Sequence, residues 1–92
     1  MARITVAHAG GAIYDVAVDD GGSTTRHQVT ATRAHVERYA PDLTPEALIE
    51  ASFHFLLARE PKESILTRFE LPVIARYFPE YPQAIGKYVR SG

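Results

Sequence analysis

Residues 53–82 of the chain, FHFLLAREPKESILTRFELPVIARYFPEYP, decide the fold, because aromatic and aliphatic residues recur there at helical spacing. Prolines at positions 61, 72, 79 and 82 stand where they would start or stop helices. The pattern predicts a helical core made of short elements. It contains no reactive groups at a spacing known for catalysis, metal binding or phosphate binding, so it predicts a fold without an activity.

The preceding segment, about residues 3–31, has a period near two, which is typical of strands. The residues on its apolar face are Ile4, Val6, Tyr14, Val16, Val18, His27, Val29 and Ala31. Gly10–Gly11 and Gly21–Gly22 supply turn chemistry. We predict an antiparallel meander of two to three strands, with Asp15 and Asp19 facing water. Residues 3–8 form either a separate strand or part of one long bulged strand.

Four to five short-to-medium helices are predicted between about residues 33 and 89, packed on one face of the sheet. Thr32 caps the first, and Thr44, followed by Pro45 and Glu46, gives the second a strong start. The predicted segments are 33–39, 45–59, 62–69, 73–78 and 83–89. The expected fold is therefore a single α+β domain over residues 1–92.

Composition narrows the function classes. The chain has no cysteine, which removes disulfides and thiolate chemistry and fits a reducing, cytoplasmic compartment. No apolar run approaches the ~20 residues of a membrane span, and the amino terminus lacks a signal-peptide pattern. Ten basic and eleven acidic side chains give a net charge of −1 and are interleaved, which argues against nucleic-acid binding.

Candidate catalytic and metal groups do not form a recognisable motif. The four histidines, His8, His27, His35 and His54, include no pair at zinc-helix spacing, although His8 and His27 could meet across strands. Ser64, His54 and Glu63 are the right types for a serine triad, but no elbow motif surrounds the serine. We predict no catalytic residue, no metal site and no cofactor.

The run ESILTRFELPVIARYF could form two short helices joined by a turn, as in a DNA-reading helix-turn-helix. Its second helix would offer only Arg76 to a groove and is otherwise apolar. The sequence therefore argues against this interpretation.

One polar cluster remains, and it contains the candidate binding residues Arg59, Arg76, Tyr77, Glu80 and Tyr81. Arg59 lies near the apolar arc of its helix, which indicates that its guanidinium is paired with a carboxylate or with capping carbonyls. The alternative is a partner site, because tyrosine and arginine dominate interface energies and YFPEYP would present them on a proline-stiffened turn.

The segment SFHFLLAREPKESIL, followed by FELPVIARYFPEY, resembles a family of small bacterial proteins of unassigned function. That family has a glycine-turned strand pair ahead of an FLLxREPxESIL…F…VIxRYFPEY block. The resemblance is specific from about Pro45 to Tyr81. It implies a shared fold and supplies no activity.

The leading functional hypothesis is a non-enzymatic interaction or regulatory module that binds another protein, or itself, through the sheet edge or the YFPEYP turn. Arg3, His8 and Arg26 would only partly protect such an edge. The alternative is a small-ligand or enzymatic pocket between sheet and helices, where Arg59, Glu60 and a tyrosine would contact an acidic ligand.

Overall fold

The strands form where the period-two pattern predicts them. The structure, a computed structural model, describes residues 2–89. β1 (Arg3–Gly10), β2 (Ile13–Asp19) and β3 (Thr24–Thr30) pair as an antiparallel meander. Residues 3–8 therefore belong to a separate strand, and the irregular register between His8 and Gly10 is a local feature of its end.

The two hairpin turns depend on glycine and aspartate. Gly10 and Gly11 close the first turn with φ values of 122° and 57°, a region that side chains with a Cβ avoid. In the second turn, the Asp20 carboxylate accepts hydrogen bonds from the backbone N–H groups of Gly22, at 2.9 Å, and Ser23, at 3.1 Å. Asp20 thus holds the β2–β3 connection in one shape.

The meander is covered on one face and open on the other. Tyr14, Val16 and Val18 are buried, whereas Asp15 and Asp19 are exposed, as the alternation predicts. The helices supply the cover, and the helix Pro45–Leu57 contacts β1 directly.

Helices begin where the sequence supplies caps. The described helices are α1 (Arg33–Tyr39), α2 (Pro45–Leu57), α3 (Val73–Tyr77) and α4 (Tyr81–Ala84), with 3₁₀ helices at Lys62–Ser64 and Ile85–Tyr88. The Thr32 hydroxyl accepts the N–H of His35 at 3.2 Å, and the Thr44 hydroxyl accepts that of Ala47 at 3.1 Å. Both predicted starts are confirmed.

The helix predicted over residues 62–69 is wrong. Only a 3₁₀ turn forms there, and residues Arg68–Glu70 make a fourth strand, β4, parallel to β3. Hydrogen bonds to β3 replace the helical ones, since Gln28 donates to the Thr67 carbonyl at 2.7 Å and Leu71 donates to the Thr30 carbonyl at 2.9 Å.

The sheet is consequently mixed and four-stranded, in the order β1-β2-β3-β4, where a purely antiparallel sheet of two to three strands was expected. The α+β class itself is confirmed. Because a 3₁₀ turn and a strand precede α3, residues 63–78 do not form the two-helix unit that was considered for a helix-turn-helix.

The last predicted helix, over 83–89, starts earlier and changes type. α4 begins at Tyr81, with Pro82 in its first turn, where a proline has no N–H to leave unbonded. The chain then continues as a 3₁₀ helix containing Gly86, a residue of low helix propensity. α2 also ends before its predicted limit, at Leu57 instead of Arg59.

A buried lysine joins the first 3₁₀ helix to the sheet. The Lys62 side chain is 5% exposed, and its Nζ lies 2.6 Å from an oxygen of Asp20 and 2.6 Å from an oxygen of Glu63. Its hydrogen bond holds the pKa of the Asp20 carboxyl well below the usual range. The β2–β3 turn is thereby tied to the segment that leads into β4.

Candidate functional site

Arg59, just beyond α2, is engaged in a structural clamp. Its Nε donates to a Glu80 carboxylate oxygen at 2.9 Å, and one terminal nitrogen donates to the Phe55 carbonyl at 3.1 Å. The guanidinium carbon lies 3.7 Å from the centre of the Phe55 ring, a cation–π geometry. The same terminal nitrogen is 3.3 Å from the Tyr88 hydroxyl. The pairing expected from the sequence is thus present.

The hydrogen bonds of the clamp also stabilise the charged forms of Arg59 and Glu80. The pKa of Arg59 is raised by its hydrogen bonds to Tyr88 and Glu80, and the pKa of Glu80 is lowered by Arg59. These contacts fasten the end of α2 to α4 and to the second 3₁₀ helix. The Nε and one of the two terminal nitrogens of Arg59 therefore already have partners within the fold.

Tyr81 is not on a presented turn, and that part of the prediction is corrected. Its side chain is 0% exposed, and its hydroxyl lies 2.7 Å from the buried hydroxyl of Ser52. Burial raises the pKa of Tyr81 to about 12. Tyr81 was expected at the surface because tyrosine is common at interfaces, but inside the core its hydroxyl has a hydrogen-bond partner in Ser52.

The other two candidate residues are at the surface on α3. Arg76 is exposed beside a shallow depression that also involves Arg38 and Glu70. Tyr77 is 67% exposed and borders a different feature, an apolar groove. The five predicted residues therefore lie in three places: the clamp, the core and the outer face of α3.

The apolar groove lies between the segment leading into β4 and helix α3, and encloses about 170 Å³. Its walls are formed by Leu56, Ile65, Phe69, Val73, Ile74 and Phe78. Leu66, 45% exposed, and Tyr77 also line it and expose apolar surface to water. Exposed apolar side chains gathered at one concavity are typical of a binding site.

Glu60 is the charged residue of this groove. Burial raises the pKa of its carboxyl, because apolar surroundings disfavour the ionised form. Glu60 has no salt bridge to any other residue within 2–89. A cation brought by a ligand or partner would therefore find a carboxylate without a competing ion pair.

Sequence reasoning missed the groove as a unit. It predicted Tyr77 as a binding residue and Glu60 as a possible ligand contact, but it placed residues 62–69 in a helix, which would bury the apolar side chains differently. The alternation of Arg68, Phe69 and Glu70 is the signal that could have indicated a strand instead. Three residues are too few to distinguish the strand period of about two from the helical period of about 3.6.

The histidines have partners within the protein: His8 with the Gly11 carbonyl (2.7 Å), His27 with Thr25 and the Leu66 carbonyl (2.8 Å each), His35 with the Thr32 N–H (3.1 Å) and His54 with Glu50 (3.6 Å). Among residues 2–89 no group of three histidine, cysteine or acidic residues is placed to hold a metal ion. For the candidate triad, Glu63 bonds to Lys62, and Ser64 lines the groove. The structure therefore gives these three residues separate surroundings.

Comparison of the chain with protein-family models, with curated proteins and with solved structures gave no match. The resemblance to a bacterial family stays a prediction. No helix in the described part of the chain is long and apolar enough to cross a membrane.

Proposed function

We propose that this protein is a non-enzymatic interaction module that binds an extended segment of a partner protein in the apolar groove. One apolar side chain of the partner would fill the groove, and a neighbouring lysine or arginine would pair with Glu60. The observation that carries the proposal is that Leu66 and Tyr77, two of the three exposed large hydrophobic side chains among residues 2–89, border this one groove.

Burial of the rim would supply part of the binding free energy. Fully burying a leucine or an aromatic side chain contributes about 1.5–3 kcal/mol, and Leu66 and Tyr77 still expose 45% and 67% of their surface. A partner that covered both would gain roughly half of each contribution. Tyrosine also contributes at low entropic cost, since its ring has few rotatable bonds.

The charge at the groove favours a basic partner segment. Glu60 is partly desolvated already, so an approaching ammonium or guanidinium group would offset a cost that the free protein carries. Ser64 is the remaining polar residue of the lining. The rest of the groove lining is mainly apolar, as in the centre of a protein interface.

The small-ligand alternative receives less support from the geometry. Pockets for drug-sized ligands ordinarily have volumes of ~300 Å³ or more, which exceeds the 170 Å³ of this groove. Arg59 is held in the clamp, whereas Glu60 and Tyr77 line the groove. The three groups named for an acidic ligand therefore do not converge on one site.

The proposal is tested by selecting displayed random peptides on the purified protein and measuring their affinity by fluorescence polarisation. We expect selected peptides to share an apolar residue next to lysine or arginine. Tyr77→Ala should weaken their binding by about tenfold or more, and Glu60→Gln should weaken it and reduce its salt dependence.

Ile13→Ala is the matched control, because Ile13 is an exposed apolar residue on β2, away from the groove lining. It should leave affinity unchanged. Arg76→Ala tests whether the site extends along α3. Selected peptides that bind wild type and Tyr77→Ala equally, or a selection that yields no binder, would contradict the proposal.

A further inference from the structure

β1 is a long edge strand. It runs from Arg3 to Gly10 at one end of the sheet order and pairs only with β2 among the described strands, so its other side is free to pair. The opposite edge, β4, has only three residues. Natural edges are usually protected by proline, charge or short length. β1 contains no proline, and Arg3 is its only lysine, arginine or acidic residue.

The two faces of β1 match the faces of the sheet. Ile4 and Val6 are half-buried on the helix-covered face, in register with Val18 and Val16 of β2. Thr5 and Ala7 are exposed on the open face. Another strand added at this edge would extend both the apolar layer and the polar one.

An acidic residue lies one strand behind the edge. Asp15, on β2, is directly opposite Ala7 of β1. The methyl group of Ala7 is therefore the only side chain between the Asp15 carboxylate and the free edge of β1. Neither Asp15 nor Arg3 has a salt bridge within residues 2–89. Asp19, which is opposite Arg3, accepts a hydrogen bond from the N–H of Gly21 at 2.8 Å.

We propose that β1 pairs antiparallel with β1 of a second copy of this chain, about a two-fold axis at Thr5, to form a continuous eight-stranded sheet. Thr5 then lies opposite its own equivalent, Ile4 opposite Val6 of the second copy, and Arg3 opposite Ala7 of the second copy. Arg3 extends across that alanine to Asp15 of the second copy. The symmetry repeats this ion pair on the other side.

The charges select this register. A shift by one residue would place the apolar face of one copy beside the polar face of the other. A shift by two residues would place Arg3 opposite Thr5 or Ala9 of the second copy. Thr5 has Ala17 behind it instead of an acid, and Ala9 has no residue of β2 directly opposite it. Strands lie about 4.8 Å apart, so the Cα atoms of Arg3 and the second copy's Asp15 would be about 10 Å apart, within reach of the two side chains.

This inference is independent of the groove, which involves no residue of β1. It is tested by sedimentation equilibrium of the full chain over a range of protein concentrations. The expected result is a reversible monomer–dimer equilibrium. Thr5→Lys, which would bring two ammonium groups together at the two-fold axis, should raise the dimer dissociation constant by roughly threefold or more. Thr24→Lys, on an exposed β3 residue, is the matched control and should leave the equilibrium unchanged.

A charge exchange tests the register. Arg3→Glu and Asp15→Arg should each raise the dimer dissociation constant by at least roughly threefold, and the double variant should recover the wild-type value. Circular dichroism spectra and melting temperatures confirm that each variant is folded. A wild-type protein that stays monomeric up to about 1 mM, or a dimer that Thr5→Lys does not weaken, would overturn the interface. A double variant no tighter than the single ones would overturn the register.

Discussion

The hydrogen bond between Tyr81 and Ser52 connects α4 to the middle of α2 inside the core, and its two ends are not equivalent. The Ser52 hydroxyl donates to the Leu48 carbonyl at 2.7 Å, so it accepts from the Tyr81 hydroxyl, also at 2.7 Å. Tyr81→Phe leaves Ser52 with its bond to Leu48. Ser52→Ala leaves a phenol hydroxyl buried without this partner.

The expected free energies follow from that difference. Tyr81→Phe should lower the free energy of unfolding by about 1 kcal/mol, the usual net worth of one hydrogen bond. Ser52→Ala should lower it by about 1–3 kcal/mol, offset by up to about 0.5 kcal/mol from the higher helix propensity of alanine. The double variant should cost little more than Tyr81→Phe alone, because no phenol remains to be satisfied.

Urea unfolding at neutral pH, followed by circular dichroism, measures all four proteins of this cycle. The coupling free energy between the two sites should be about 1 kcal/mol or more. Tyr39→Phe is the control, because the Tyr39 ring packs 5.1 Å from that of Tyr81 and its hydroxyl makes no side-chain hydrogen bond within residues 2–89. Substitutions that add to within about 0.5 kcal/mol would refute the reasoning.

Three further outcomes are expected. Burial raises the pKa of Tyr81 to about 12, whereas the phenol in the unfolded chain titrates near 10. The stabilising effect of the neutral Tyr81 phenol is therefore complete below pH 10 and is lost as the pH rises from 10 through about 12. Unfolding measured between pH 9 and 12 should show a loss of about 2 kcal/mol that Tyr81→Phe removes. Lys62 lowers the pKa of Asp20, so stability from this pair is present above about pH 4 and is lost on acidification. Asp20→Asn should therefore flatten the acid side of a stability–pH profile. Arg59→Lys should lower the melting temperature, because an ammonium cannot bond to Glu80 and lie flat over Phe55 together, whereas Arg76→Lys should not.

Local signals in the sequence were sufficient for most elements. Thr32 and Thr44 mark helix starts that depend only on the next few residues. The alternation from Tyr14 to Val18 fixes which face of β2 is buried. The engagement of Arg59 could be expected as well, because a guanidinium beside an apolar helix face needs a partner.

Long-range pairing could not be predicted from the same signals. β4 exists because β3 offers it an edge, and the apolar spacing of residues 65–69 fits a helix equally well when that edge is unknown. The surface groove depends on this pairing, so it was missed as a unit. Tyr81 was misplaced for a similar reason, since its hydroxyl partner is 29 residues away in the chain.

The parallel pairing of β3 with β4 also sets the order in which the protein can be completed during synthesis. The His27 ring, on β3, bonds to the Leu66 carbonyl 39 residues later, so the ribosome must deliver that segment before the sheet gains its last strand. Until then the nascent meander has two open edges and little apolar cover, a form that is marginal in water. The growing chain is therefore most exposed to aggregation after β3 has been synthesised and before β4 has been.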